Sequence, residues 1–122
     1  MAEMGYVLSS EEMKPNEMVR NARRAEEAGF TTAWISDHYH PWIDAQGESP
    51  FVWSVIGGIA TATEGIRLGT GVTCPTIRIH PAIIAQARRP RRRCWRVGSG
   101  LASAAARTST STSSASTGHR RI

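Results

Sequence analysis

The chain has 122 residues, is 40% hydrophobic and 20% charged, and carries a formal net charge of +5 with two cysteines. That length leaves room for one small domain, and no apolar run is long enough for a membrane-spanning helix. The total charge hides two unlike parts. Residues 1–87 hold all ten Asp and Glu against six Lys and Arg, a net −4, whereas residues 88–122 hold nine Arg and no acid, a net +9.

In chain order, residues 4–8 (MGYVL) form a short apolar run and are expected to be a strand. Residues 9–30 then read as a helical unit: Pro15 suits a first helical position, Met18, Val19, Ala22 and Ala25 share one face, and Gly29 is a natural stop. Residues 31–36 (TTAWIS) are rich in β-formers and are expected to be a second strand. A polar loop with Asp37, His38, His40, Pro41 and Trp42 follows. Residues 50–64 read as a nearly all-apolar helix, residues 66–70 as a third strand, and residues 80–87 as the start of a third helix with Pro81 in its first turn. The order β-α-β-α-β-α, with connections long enough for right-handed crossovers, predicts an α/β fold with a parallel sheet, either doubly wound or closed as a barrel.

The groups with chemical character fall just after strands, where both kinds of parallel sheet place their active sites. Asp37 and His38 follow the second strand, and Val72, Cys74 and Thr76 follow the third. Residues 69–71 (GTG) lack the third glycine and the immediate helix start of a dinucleotide fingerprint. His38 and His40 have no clear third partner, so no metal site is expected. Cys74 and Cys94 form neither a CxxC pair nor a disulfide framework, which fits a reducing cytoplasm. The first residues, MAEMGYVLSSEE, have early acids and no basic region, unlike a signal peptide.

The stretches AWISDHYHPW, SPFVWSV and RLGTGVTCPTIRIHPAIIAQA, in this order and spacing, closely resemble the coenzyme F420-dependent oxidoreductases of the luciferase-like superfamily. The resemblance is to the branch related to F420-dependent glucose-6-phosphate dehydrogenase, and it runs from about residue 5 to residue 87. It implies the first three βα units of a (β/α)8 TIM barrel, an enzyme of the cytoplasm that is often dimeric, and hydride transfer between a hydroxyl compound such as a sugar phosphate and C5 of the deazaflavin. Asp37 and His38 would lie beside the deazaflavin ring. His38 would be the base or hydrogen-bonding group at the reacting centre, and Trp42 would wall the pocket and stabilise the substrate or the transfer geometry. Gly71 and Val72 match a bulge that can hold a non-prolyl cis peptide behind the ring. Cys74 stands where relatives often place a hydroxyl residue on the cofactor. FMN, used by other members of the superfamily, is the alternative cofactor, as in a luciferase-like monooxygenase. Trp34 and Trp53 read most simply as packing groups.

The tail is a separate matter. Beyond Leu101 it is rich in Ala, Ser, Thr and Arg and has almost nothing to bury, so disorder is expected. The run RRPRRR with Trp95 has the composition of a nucleic-acid or membrane-surface patch, which makes a small α/β module with a nucleic-acid-binding tail the second reading. A charge run alone is weak support, so the partner expected is a small molecule, with neither nucleic acid nor membrane. A reading-frame change accounts for the tail better. Residues 107–116 (RTSTSTSSAS), written with permitted codons and read one nucleotide earlier behind a leading G, spell ENLNEHILGE. That is close to the word GVGSGENLNEHILG with which the family would continue. Loss of one nucleotide near codons 86–88 would produce it. The resemblance places an acidic proton donor, further cofactor contacts and a phosphate site beyond the match. On this reading the 122-residue product is expected to be unstable or aggregated, and inactive.

Overall fold

The computed structural model describes residues 4–87. The expected disorder and frame change of residues 88–122 lie outside the described residues. Three strands, β1 (Gly5–Leu8), β2 (Thr32–Ile35) and β3 (Arg67–Thr70), alternate with three helices, α1 (Pro15–Glu27), α2 (Val52–Ala62) and α3 (Pro81–Ala87). The strands pair in parallel in the order β1-β2-β3. Leu8, Ile35 and Thr70 share one row across the sheet, and Val7, Trp34 and Gly69 share the next.

Successive side chains of a strand point to opposite faces, so these two rows face opposite ways. Leu8, Ala33, Ile35 and Leu68 pack with Met18, Ala22 and Ala25 of α1 and with Val52, Val55, Ile56 and Ile59 of α2 in one core. Both helices therefore lie on the same face of the sheet. A doubly wound sheet carries helices on both faces, whereas a barrel keeps them all outside. The β1-β2-β3 order with both helices on one face is that of three successive βα units of a barrel; one half of a doubly wound sheet shares it, so the barrel rests on the family resemblance. Full burial of a side chain such as Leu8, Met18 or Ile35 contributes roughly 1.5–3 kcal/mol.

The helix boundaries follow from local chemistry. Pro15 opens α1, where a missing N–H costs nothing. After α1, Gly29 adopts φ +92°, which a side chain would resist. The Glu26 carboxylate of α1 accepts the backbone N–H groups of Glu64 (3.0 Å), Gly65 (2.6 Å) and Ile66 (2.7 Å), tying α1 to the turn that feeds β3. Burial opposes the charge on Glu26, but these three N–H bonds outweigh it and hold its pKa below the ordinary value. Residues 9–14 precede α1 as a turn and belong to the end of β1, not to the helix. Among the described residues no helix is long and apolar enough to cross a membrane.

Candidate active site

The strand ends bring three short segments together. The first follows β1 and carries Ser9, Ser10 and Glu11. The second follows β2 and carries Ser36, Asp37 and His38. They are stitched to each other by Ser10, whose N–H donates to Ser36 Oγ (2.8 Å) and whose hydroxyl donates to the Ser36 carbonyl (2.7 Å). Ser36 Oγ in turn donates to Glu11 Oε2 (2.7 Å), which also accepts from Ser9 Oγ (3.0 Å). Glu11 Oε1 pairs with His38 Nδ1.

Glu11 is 4% exposed. Burial alone would raise its pKa, but hydrogen bonds from Ser36, its own backbone, His38 and Ser9 outweigh burial and hold the carboxyl at about 2. It is an anion at neutral pH. Facing an anion, His38 Nδ1 is a donor, and Nε2 is the acceptor whenever the ring carries a single proton. The Trp42 ring meets His38 edge to face, with centroids 5.0 Å apart and planes at 75°. Ser49 Oγ donates to the His38 carbonyl (2.7 Å) and holds the backbone of the loop.

The third segment follows β3. Gly71 N–H continues the ladder to the Ile35 carbonyl (2.8 Å), and the peptide bond between Gly71 and Val72 is cis. Val72 is 40% exposed. Next to it Thr73 turns inward, and its hydroxyl donates to Asp37 Oδ2 (2.5 Å) while lying 3.0 Å from the Thr70 hydroxyl. Arg78 pairs with Asp37 Oδ1. Asp37 is buried with both carboxylate oxygens engaged, so it anchors the segment after β3 to the end of β2. A cavity of about 190 Å³ opens here, lined by His38, Tyr39, Cys74, Ile77 and Ile79 above Asp37.

The sequence-predicted residues His38 and Trp42 thus stand together, and Asp37 and Cys74 line the same cavity as His38. Gly71 and Val72 form the joint after β3. His40 is exposed and bonds locally to the Pro41 carbonyl (2.8 Å). Glu11, Ser36, Thr73 and Arg78 were not singled out from sequence. Glu11 lies three residues past β1, so the rule that placed Asp37 and His38 at the site reaches it too. Its acidic neighbours and the helix behind it masked that signal. Among the described residues no three His, Cys, Asp or Glu side chains gather as a metal would need.

The luciferase-like monooxygenase family model matches residues 2–88. The chain is 46% identical over 84 residues to the F420-dependent hydroxymycolic acid dehydrogenase of Mycobacterium tuberculosis, covering 69% of this chain and 23% of that protein. It is 40% identical over 87 residues to the F420-dependent glucose-6-phosphate dehydrogenase of Amycolatopsis mediterranei, covering 71% and 26%. Among solved structures, an F420-dependent secondary alcohol dehydrogenase in complex with an F420-acetone adduct superposes with a TM-score of 0.68 at 35% identity, over 77% of this chain and 29% of that one. The coenzyme F420-dependent tetrahydromethanopterin reductase of Methanopyrus kandleri gives 0.59 at 32% identity, over 70% and 22%. The chain spans about a quarter of the length of the curated relatives it matches.

Proposed function

The chain belongs to the luciferase-like monooxygenase family, and on that premise we propose that its strand ends form part of the active face of an F420-dependent oxidoreductase. The reaction proposed is hydride transfer between a hydroxyl compound, such as a sugar phosphate, and C5 of the deazaflavin. The observation that carries this reading is the Glu11–His38 pair beside Trp42 at the ends of β1 and β2. The relatives named above, all called F420-dependent, support the choice of cofactor.

A flat heterocycle needs an apolar wall and a polar group at its reacting edge. The segment after β3 offers the wall: Gly71 has no side chain, Val72 is partly exposed, and Ile77 and Ile79 line the cavity. His38 offers the polar group. The residues present therefore fit a deazaflavin. Gly71, Val72 and Cys74 would hold it from behind, and Asp37 would act through the segment it anchors.

Bound F420 supplies the hydride chemistry. The chain's own residues handle the proton. Glu11 keeps the Nδ1 proton of His38 in place, so Nε2 can take the proton of a substrate hydroxyl as the carbon is oxidised. Trp42, set edge to face against the His38 ring, would wall the substrate on that side. Glu11 acts through His38 and is a positioning residue.

We place the boundary of the family domain at residue 87. The match ends at residue 88, where the acid-free stretch begins. Three βα units supply three of the eight strand ends of a barrel rim, so the 122 residues by themselves are expected to give no turnover. The intact enzyme is proposed to be a cytoplasmic homodimer, as the resemblance implies. Titration of F420 with the chain tests the reading. Saturable quenching of F420 fluorescence that weakens in His38→Ala supports it, and an unchanged signal at high protein concentration overturns it.

A further inference from the structure

We propose that the Trp34 indole, seated in a trough formed by Gly5 and Gly69, is a positioning residue that sets the Gly71–Val72 wall of the site. This rests on the cofactor site proposed above. Trp34 stands on the sheet face opposite α1 and α2, in one row with Val7 and Gly69. A Cβ added at Gly69 would lie 2.9 Å from both Cε3 and Cζ3 of the ring, closer than real Cβ atoms come. A Cβ at Gly5 would lie 3.3 Å from Cδ1 and 3.6 Å from Nε1. The indole therefore spans the sheet, with its pyrrole edge over β1 and its benzo edge over β3. Neither glycine has a positive φ. Space, not backbone conformation, demands glycine there, although glycine weakens a strand interior.

The same benzo edge reaches the site. A Cβ at Gly71 would make an ordinary contact, 3.7 Å, with Cε3. The ring thus bridges the last turn of the β3 ladder and the joint at Gly71. On the helix side, Thr73 and Arg78 tie the following residues to Asp37. The wall is held from one side by this polar anchor and from the other by a rigid aromatic plate, which has few rotamers to lose. A change beneath the plate should move the wall without touching any group that meets substrate.

The test uses the full 122-residue chain, Gly69→Ala, Trp34→Leu and the double variant Trp34→Phe/Gly69→Ala. F420 affinity is read by fluorescence quenching, and the backbone amides of Gly71 and Val72 are read in ¹H–¹⁵N spectra. The methyl of Gly69→Ala must displace the indole, so F420 should bind about tenfold or more weakly, with both amides shifted. Phenylalanine in the double variant makes room for the methyl and keeps an aromatic plate, so affinity should recover part of the way. Trp34→Leu should weaken binding with Gly69 intact, which reads the plate even where Gly69→Ala fails to fold. Wild-type affinity with unmoved Gly71 and Val72 amides in Gly69→Ala or Trp34→Leu would overturn the proposal. If the wild-type chain binds no F420, the cofactor reading fails instead. The amides then decide alone: shifts confined to residues 68–70 overturn the positioning role, and shifts reaching Val72 support it.

Discussion

Glu11 is a buried carboxylate surrounded by donors, and its consequence is a pH dependence with a definite sign. Its folded pKa, about 2, lies below the ordinary value of 4.5. The group therefore contributes stability that is fully present above pH 4.5 and is lost as the pH falls towards 2. That contribution is on the order of 3 kcal/mol. Denaturant titrations of the wild type at pH 6 and pH 3 should show about 2 kcal/mol of this loss, and Glu11→Gln should abolish most of it. A wild type equally stable at both pH values would contradict the assignment. Asp37 differs, because its oxygens serve Thr73 and Arg78 together. Asp37→Asn leaves Arg78 without its anion and should cost about 3 kcal/mol, measured as a fall in the unfolding midpoint at neutral pH. The double variant Asp37→Asn/Arg78→Met should recover part of it. His38, Asp37, Trp42 and Cys74 were legible in sequence because they sit in a motif immediately after a strand. The partners of His38 and Asp37 were not legible. Glu11 and Arg78 lie 27 and 41 residues away from them along the chain, and only the pairing of the strands brings them near.

The elements were legible because apolar spacing and punctuation agree with each other. Pro15 and Gly29 bracket α1, and the buried Met18, Ala22 and Ala25 recur at helical spacing. The strands lie within a residue or so of their expected bounds, since β-branched and aromatic runs end at polar or glycine residues. Element spacing alone left a doubly wound sheet and a barrel both open, and only the family motifs in the sequence pointed to the barrel. The apolar pattern shows that a strand is covered, but not which neighbour covers it. The contacts between elements were equally invisible. Gly58 of α2 faces α1 so closely that an added Cβ would meet Val19 Cγ2 at 3.0 Å. Gly58→Val should therefore push the helices apart and cost about 1–3 kcal/mol, read from thermal unfolding. Gly57, where nothing lies within 4 Å of an added Cβ, is the control: Gly57→Ala should be neutral or stabilising by up to about 1 kcal/mol. A loss at Gly57→Ala as large as that at Gly58→Val would show that the cost is not specific to the α1–α2 approach. The Glu26 bridge belongs to this scale too. Glu26→Ala frees three backbone N–H groups and should lower stability by about 1–2 kcal/mol, with less effect at acid pH, where the wild-type carboxylate is itself neutralised.

At the scale of the whole molecule, the described residues give a sheet with one covered face and one open one. α1 and α2 close over Leu8, Ala33, Ile35 and Leu68, whereas Val7 on the other face is 68% exposed beside Trp34. In a barrel that face is packed by side chains from the remaining strands. The three βα units described here expose it to water, and an open apolar sheet face tends to find a partner. The chain is therefore expected to self-associate in solution. Sedimentation velocity over a range of concentrations should show species heavier than 13.3 kDa growing with concentration. Val7→Lys places a charge on the open face and touches nothing in the core of Leu8, Met18 and Ile35. It should shift the distribution towards monomer and change unfolding stability by no more than about 0.5 kcal/mol. Truncation after Ala87 separates this effect from the nine arginines that follow, because association through the open sheet face should survive it. Association that disappears on truncation but persists in Val7→Lys would assign it to the basic tail. A concentration-independent monomer with a sharp thermal transition would mean that something covers Val7 and Trp34 in solution.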